Sequence, residues 1–403
     1  MKMSSWEDIS SYYDKLNMDK SHFNSTNDIC TPMGCVKEMI EAIPEEFWDR
    51  TETTMLDPCA GNGNFLAYAL LKNKGNTRFF ANDINPVRLG NLKAFFDENE
   101  LTIMEEDFLT FSANQKYDLI IANPPFAKFT KNGERAAKNH TLSREFLMKA
   151  ISLVKDEGYL CFILPDNWMS YADRNTLPSL LTSFDILTLN IGEAKKWFPG
   201  VGSSFTYFVL HKVPHTGRKT KIITSNSIEY VEITPNIPCI PLRYNEAIKG
   251  IFEKVVFNNE EKYEVETSSH LHKYTRSNWL VEEEDDKHPY RVIHTPNQTI
   301  WSEVKHKYHD GWKVFLPTTT YYRPFIDCDV GMTQSIAFIR CKDETDAKEQ
   351  LQELSQKIYK VVIDLTRYGN FNNQRILQHL SKLNTFDLTP EEQTFIENYQ
   401  LKY

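Results

Sequence analysis

Apolar positions recur along the chain in two rhythms. Trp6, Ile9, Tyr12, Tyr13 and Leu16 repeat at helical spacing, and so do Val36, Met39, Ile40 and Ile43. The first set predicts an amphipathic helix within residues 1–30. The second predicts a helix opened by Thr31-Pro32, with Thr31 as its N-cap and Pro32 at its first helical position. Short apolar runs then alternate with helical patterns. Residues 53–57, 78–83, 101–107, 117–122, 158–165 and 186–191 read as buried strands, and helical stretches follow Phe65, Pro86 and Phe146. The stretch 204–210 alternates like a closing hairpin. Strands alternating with helices predict an α/β fold, a Rossmann-like parallel sheet with helices on both faces.

Past Pro214 the pattern changes. Long apolar strands give way to mixed polarity, an acidic knot at Glu282–Asp286, short β segments between 311 and 339, and one helix from Ala347 to Leu365. The boundary is expected there, with one domain over 1–213, including the N-terminal helical segment, and a smaller mixed α+β domain over 214–403.

Composition narrows the class. The chain has 403 residues, 41% hydrophobic and 25% charged, which suits a globular protein with two cores. No run is long enough to span a bilayer and no signal-peptide core opens the chain, so no membrane association and a cytoplasmic location are expected. Seven cysteines without a C-x-x-C pair predict free thiols and no metal site. The net charge of −9 does not advertise a polyanion partner, but a cleft can be basic on an acidic protein.

The candidate chemistry sits at predicted strand ends, where open α/β sheets place ligands. Asn123-Pro124-Pro125-Phe126 follows an apolar strand. Its prolines fix φ and offer no N–H, so the Asn123 amide and the Pro124 carbonyl form a stiff pair of acceptors, with the Phe126 ring beside them. The same tripeptide is also ordinary turn chemistry. Upstream, Asp57-Pro58-Cys59-Ala60-Gly61-Asn62-Gly63-Asn64-Phe65 reads as strand, glycine turn and helix. It lacks the third glycine of a dinucleotide fingerprint, and its carboxylate would repel a pyrophosphate and welcome an ammonium. Asp83, followed by Ile84, lies about twenty residues past the glycines, where a carboxylate meets ribose hydroxyls. Asp107 and Phe108 close the third strand, an acceptor and a ring face for a purine. Each acid alone is more often a solvated strand end.

These segments together resemble the S-adenosylmethionine-dependent DNA amino-methyltransferases, in particular the gamma-group adenine-N6 enzymes of restriction-modification systems. In that group a Thr-Pro segment, the glycine motif, the catalytic motif and a C-terminal recognition region follow one another, and Thr31-Pro32 sits where the pattern requires. The resemblance implies a seven-stranded methyltransferase sheet, S-adenosylmethionine as cofactor and methyl transfer to N6 of an adenine flipped out of double-stranded DNA. It assigns catalysis to Asn123, Pro124, Pro125 and Phe126. It assigns cofactor binding to Thr31, Pro32, Asp57, Pro58, Ala60, Gly61, Gly63, Phe65, Asp83, Ile84, Asp107, Phe108 and Asn123. Phe198, in Phe-Pro-x-Val, would be a second wall for the base, with Trp197 competing. Lys128, Lys131, Arg135 and Lys138 follow the catalytic turn and are expected at DNA phosphates, as are Arg323 and Arg375. Lys313, Tyr321, Tyr322, Arg367, Asn370, Asn372 and Asn373 are further candidates. A monomer is expected, and a separate cognate restriction endonuclease stays open. Cytosine N4, ribosomal RNA guanine N2 and a protein glutamine amide remain as alternative acceptors.

Overall fold

The computed structural model describes residues 5–18, 30–75, 77–112, 115–126, 142–199, 202, 204–369 and 371–402. The chain forms two compact units: residues 1–168 with 177–236, and residues 169–176 with 237–403.

In the first unit, α1 (Trp6–Met18), α2 (Met33–Glu41) and α3 (Glu45–Asp49) precede β1 (Thr53–Asp57), α4 (Asn64–Lys72) and β2 (Thr77–Asn82). Then come α5 (Pro86–Phe95), β3 (Leu101–Met104), β4 (Tyr117–Ala122), α6 (Leu142–Leu153) and β5 (Val154–Pro165). The unit ends with α7 (Leu177–Thr182), β6 (Phe184–Ile191), β7 (Phe205–Pro214), β8 (Thr220–Ile223) and β9 (Ile228–Val231). The strands form one sheet in the order β3-β2-β1-β4-β5-β7-β6-β8-β9.

From β3 to β5 every neighbouring pair is parallel, and the strand order reverses at β1 and β4, paired Met55 to Leu119 and Leu56 to Ile120. A doubly wound sheet opens its crevice at such a switch point, beyond the carboxyl ends. Alternation sends Met55, Leu119, Ile121, Cys161 and Ile163 into one core with α1, α2, α4 and α5. Their neighbours Leu56, Ile120, Leu160 and Phe162, also buried, face the side where α6 packs on β5 and α7 on β6.

Three expectations change here. The expected closing hairpin is instead a strand, β7, antiparallel to β5 on one side and β6 on the other. Among the described residues the sheet has nine strands, because β8 adds to β6 and β9 to β8. The first unit therefore runs past residue 213 to 236, since the backbone groups of these two strands are satisfied by the main sheet.

The second unit holds two four-stranded sheets and most of its helices on one side of the first. One sheet runs β10 (Glu266–Thr267), β17 (Ile336–Arg340), β14 (Trp312–Pro317), β15 (Phe325–Cys328). The other runs β11 (Leu280–Val281), β13 (Gln298–Ser302), β12 (Tyr290–Thr295), β16 (Gly331–Met332). Helices α8 (Glu246–Val255), α9 (Glu344–Leu354), α10 (Lys357–Leu365), α11 (Gln374–Gln378) and α12 (Pro390–Asn398) complete it. The helix predicted from 347 to 365 is thus two, broken where Gln356 turns extended (φ −64°, ψ 151°). The break lets α10 bury Val361, Val362, Ile363 and Leu365 against Val314 and Leu316 of β14 and Ala337 and Ile339 of β17. Among the described residues no helix is long and apolar enough to cross a membrane.

Candidate active site

β1 is buried along its whole length and delivers Asp57 to its carboxyl end, 1% exposed. Asp57 Oδ1 accepts from the Cys59 N–H at 3.2 Å, whereas Oδ2 has no hydrogen-bond partner among the described residues. Burial pushes the carboxyl up to about 8, with Asp83 adding to the shift and the Cys59 N–H opposing it.

The chain then turns through Pro58 and Ala60, whose N–H donates to the Asn82 carbonyl at 2.9 Å. Gly61 and Gly63 have φ of +56° and +93°. Position 63 needs glycine twice over, for a Cβ there would lie 2.5 Å from Leu92 Cδ2. Gly61 is otherwise open, and its N–H donates to Asp83 Oδ2 at 2.8 Å. Asp83 Oδ1 accepts from the Asn85 N–H at 2.8 Å, so the β2 carboxylate fixes the β1 turn. Ile84 beside it is 66% exposed, an apolar side chain at the rim of the crevice. Phe65 is buried in the core under the turn.

β4 carries Asn123 to the same end. Its Nδ2 donates to Thr31 Oγ1 at 3.0 Å, and its carbonyl accepts from Cys59 Sγ at 3.4 Å. The Thr31 carbonyl accepts from Asn64 Nδ2 at 2.7 Å. Thr31-Pro32, the glycine turn and the Asn-Pro-Pro turn are therefore one hydrogen-bonded body. Thr31 is not the helix cap expected of it: α2 starts at Met33 with Pro32 as N-cap and no side-chain cap, and the hydroxyl serves Asn123 instead. Pro124 is buried and Pro125 exposed.

Other expectations need correction. β3 ends at Met104, so Asp107 stands in the turn beyond it, exposed, accepting from the Leu109 N–H at 3.0 Å. Phe108 is 1% exposed and packs between Phe111 and Phe146, with ring centroids at 5.7 and 5.3 Å. Its faces are occupied by core rings and are not open to a purine. Phe198 is likewise buried, 4.7 Å from Phe205, and it is Phe205 that meets Phe126, at 5.5 Å. Trp197 lies over Gly34 and donates to Glu38, so neither aromatic of that segment is an open wall. Phe126 is half-buried. Asn64, Cys59 and Phe205 were missed. Asn64 and Cys59 act through long-range contacts, and only the alternation of 204–210 hinted at Phe205.

Lys128, Lys131, Arg135, Lys138 and Asn370 lie outside the described residues. In the second unit, Arg323 is exposed. Arg375 is not a spare cation, since it pairs with Asp173 and donates to Gln378 Oε1 at 3.1 Å. Lys313 is fully buried, its ammonium donating to the carbonyls of His309, Asp310 and Gly311 at 2.7, 3.2 and 2.7 Å. Tyr322 is buried and donates to the Leu354 carbonyl; Asn372 is buried, and Asn373 caps α11.

Comparison with known proteins follows the same segments. The Eco57I restriction-modification methylase family matches residues 60–198. The chain is 26% identical over 197 residues to the Type II methyltransferase M.VspI of Vibrio sp., covering 45% of this chain and 47% of that one. It is 31% identical over 126 residues to the tRNA1(Val) (adenine(37)-N6)-methyltransferase of Aliivibrio fischeri, covering 29% of this chain and 53% of that one. A Listeria monocytogenes structure described as a class I S-adenosylmethionine-dependent methyltransferase superposes with a TM-score of 0.45 at 17% identity, over 56% of this chain and 76% of that one. The chain spans about half the length of the curated relatives it matches. The stretch from the glycine turn at Ala60 through the Asn-Pro-Pro turn to Phe198 is thus the part of the chain that is similar to the Eco57I restriction-modification methylases.

Proposed function

We propose that this protein transfers a methyl group from S-adenosylmethionine to N6 of an adenine flipped out of double-stranded DNA, in a restriction-modification or viral DNA-protection setting. The observation that carries this reading is the Asn123 amide, tied through its nitrogen to Thr31 at 3.0 Å and followed by two prolines at the switch point of the sheet.

The residues present fit the cofactor. Asp57 Oδ2, buried without a partner, suits the amino group of the methionine moiety. Gly61 leaves space beside the turn, Asp83 lies 7% exposed at the β2 end for ribose hydroxyls, and exposed Ile84 offers an apolar contact to the purine. Bound there, S-adenosylmethionine supplies a methyl already activated on a sulfonium, so the reaction calls for no nucleophilic thiol.

An exocyclic amino group is a poor nucleophile because its lone pair is delocalised into the ring. With the nitrogen end of the Asn123 amide committed to Thr31, the oxygen end is the acceptor. Asn123 Oδ1 and the Pro124 carbonyl together would take both N–H bonds of N6 and direct its lone pair outward. Alignment then supplies most of the rate. Phe126 offers a face to the extruded base, whose removal from the stack costs a few kcal/mol. Monomeric action and a separate cognate nuclease belong to the same reading.

The resemblance to a tRNA adenine-N6 enzyme favours RNA as a second reading, with the same chemistry at the same corner. DNA is preferred because the matched family is a restriction-modification one and a second folded unit follows the methylase domain. Incubation with tritiated cofactor and duplex DNA, tRNA or protein tests both. Label is expected in DNA as N6-methyladenine. Asn123→Ala is expected to lower transfer at least about a thousandfold while leaving cofactor affinity within about threefold. Label confined to RNA or protein, or in cytosine, overturns the proposal, and equal loss of binding and transfer overturns the role of Asn123.

A further inference from the structure

The rungs of the sheet stop just short of the proposed cofactor contacts. β1 pairs with β2 as far as Asp57 with Ala81, and β2 with β3 as far as Asn82 with Met104. The β1 turn that carries Gly61 and the β3 turn that carries Asp107 have both left that ladder. The Asn82 side chain, in a residue 2% exposed, continues the bonding beyond it. Its Nδ2 donates to the Pro58 carbonyl at 3.1 Å on one side and to the Glu106 carbonyl at 3.0 Å on the other, and its Oδ1 accepts from the Glu106 N–H at 3.1 Å. One carboxamide thus joins three strand ends.

The two turns depend on it unequally. The β1 turn keeps ties that bypass the Asn82 side chain, from the Ala60 N–H to the main-chain carbonyl of Asn82 at 2.9 Å and from the Gly61 N–H to Asp83 Oδ2 at 2.8 Å. The β3 turn is anchored on its far side by Phe108, sunk between Phe111 and Phe146, and on its near side by the two bonds from Glu106 to the Asn82 amide. Asp107 stands exposed between these anchors. An exposed carboxylate carries little restraint of its own, so its aim is set by the backbone on either side of it. A primary amide suits the brace because it offers two donors and an acceptor in one plane. A leucine of similar size would leave two carbonyls and an N–H unpaired, and an ionised aspartate would set an oxygen against both carbonyls.

We propose that Asn82 is a positioning residue for base selection in the cofactor: it holds the β3 turn where Asp107 accepts from the 6-amino group of adenine, in register with the Asp57 end of the site. The inference rests on S-adenosylmethionine being the cofactor. It goes beyond that reading by naming the buried side chain through which the site selects adenine.

The test uses the full chain and calorimetry with S-adenosylhomocysteine and with its inosine counterpart, in which a 6-oxo group replaces the amino group. The wild type is expected to prefer the adenine compound about a hundredfold. Asn82→Ala is expected to weaken the adenine compound about thirtyfold and the inosine compound about threefold, so that the preference drops to about tenfold. A side chain that served the fold alone would weaken both compounds by one factor, and equal losses, or none, overturn the inference. Amide hydrogen exchange reads the brace in the wild type without any substitution. Before cofactor is added, the Glu106 N–H is expected to exchange at least about a hundredfold more slowly than an open loop, and exchange at the open-loop rate overturns the inference even if Asn82→Ala does not fold. A wild type that methylates DNA yet binds both compounds alike overturns this inference and leaves the proposed function standing. A wild type that binds neither compound overturns the cofactor reading, and this inference with it.

Discussion

Two buried charges, one in each unit, are treated in opposite ways. Lys313 of the second unit is wrapped by three main-chain carbonyls, so its ammonium is satisfied by the protein itself. Asp57 of the first unit has one N–H for two oxygens among the described residues, and burial, opposed only by that N–H, holds the carboxyl near 8. A closed shell of donors or acceptors marks a structural charge, and an incomplete one marks a position organised for something that arrives later.

The sharpest break of that contrast is substitution of each charge by a neutral isostere. Lys313→Met leaves the carbonyls of His309, Asp310 and Gly311 without their donor and is expected to destabilise the second unit by about 2 kcal/mol, while leaving S-adenosylmethionine affinity unchanged. Chemical denaturation and calorimetry read the two quantities. An unchanged midpoint would mean the ammonium is not structural.

Asp57→Asn is expected to do the reverse. It removes the negative charge that would meet the ammonium and puts an NH2 donor in place of one oxygen, and cofactor affinity should fall about a hundredfold. Its effect on stability is a matter of pH. A carboxyl whose folded pKa lies above its ordinary value of 3.8 contributes stability that is complete below that value and lost as pH rises through about 8. Between about pH 5 and pH 8 the wild type should therefore lose on the order of 4 kcal/mol that the Asp57→Asn protein does not. Parallel stability curves for the two proteins would refute the unsatisfied carboxyl.

The same group gives a smaller signal in binding. Ammonium contact favours the ionised carboxylate, so cofactor binding at about pH 7 should expel most of one proton from Asp57, and affinity should climb with pH until about 8 and then level. Calorimetry in buffers of different ionisation enthalpy measures the proton. No buffer dependence would show that Asp57 does not titrate on binding.

The contrast also separates what could be read from the chain. The strand ends were legible because short backbone chemistry dictates them: Gly61 and Gly63 for positive φ, Asp57 and Asn123 for the ends of buried runs, Pro124-Pro125 for a stop. Roles set by partners far away in sequence were not. Phe108 and Phe198 look like Phe126 in a sequence, and only packing shows that the first two are enclosed. Lys313 and Arg323 stand ten positions apart in stretches of similar composition, yet one is sealed and the other exposed. Strands β8 and β9 are not legible in the chain because each has only four residues, too few for a pattern, so their place is decided by pairing, β8 with β6 and β9 with β8.

Thr31 is where that limit can be tested most finely, because sequence and structure give it different work. By position it is a cap or a cofactor contact; in the fold its hydroxyl holds the Asn123 amide and its carbonyl holds Asn64. Thr31→Val keeps the shape and the carbonyl and removes only the hydroxyl. A positioning residue that acts through Asn123 should then lower kcat about tenfold, with little change in cofactor affinity or KM for DNA, since the amide can rotate and present its nitrogen where an acceptor is needed. Thr31→Ser should restore the rate. If the valine variant instead loses cofactor affinity while turnover at saturation is retained, Thr31 is part of the cofactor site, and the orientation of Asn123 must come from elsewhere in the turn.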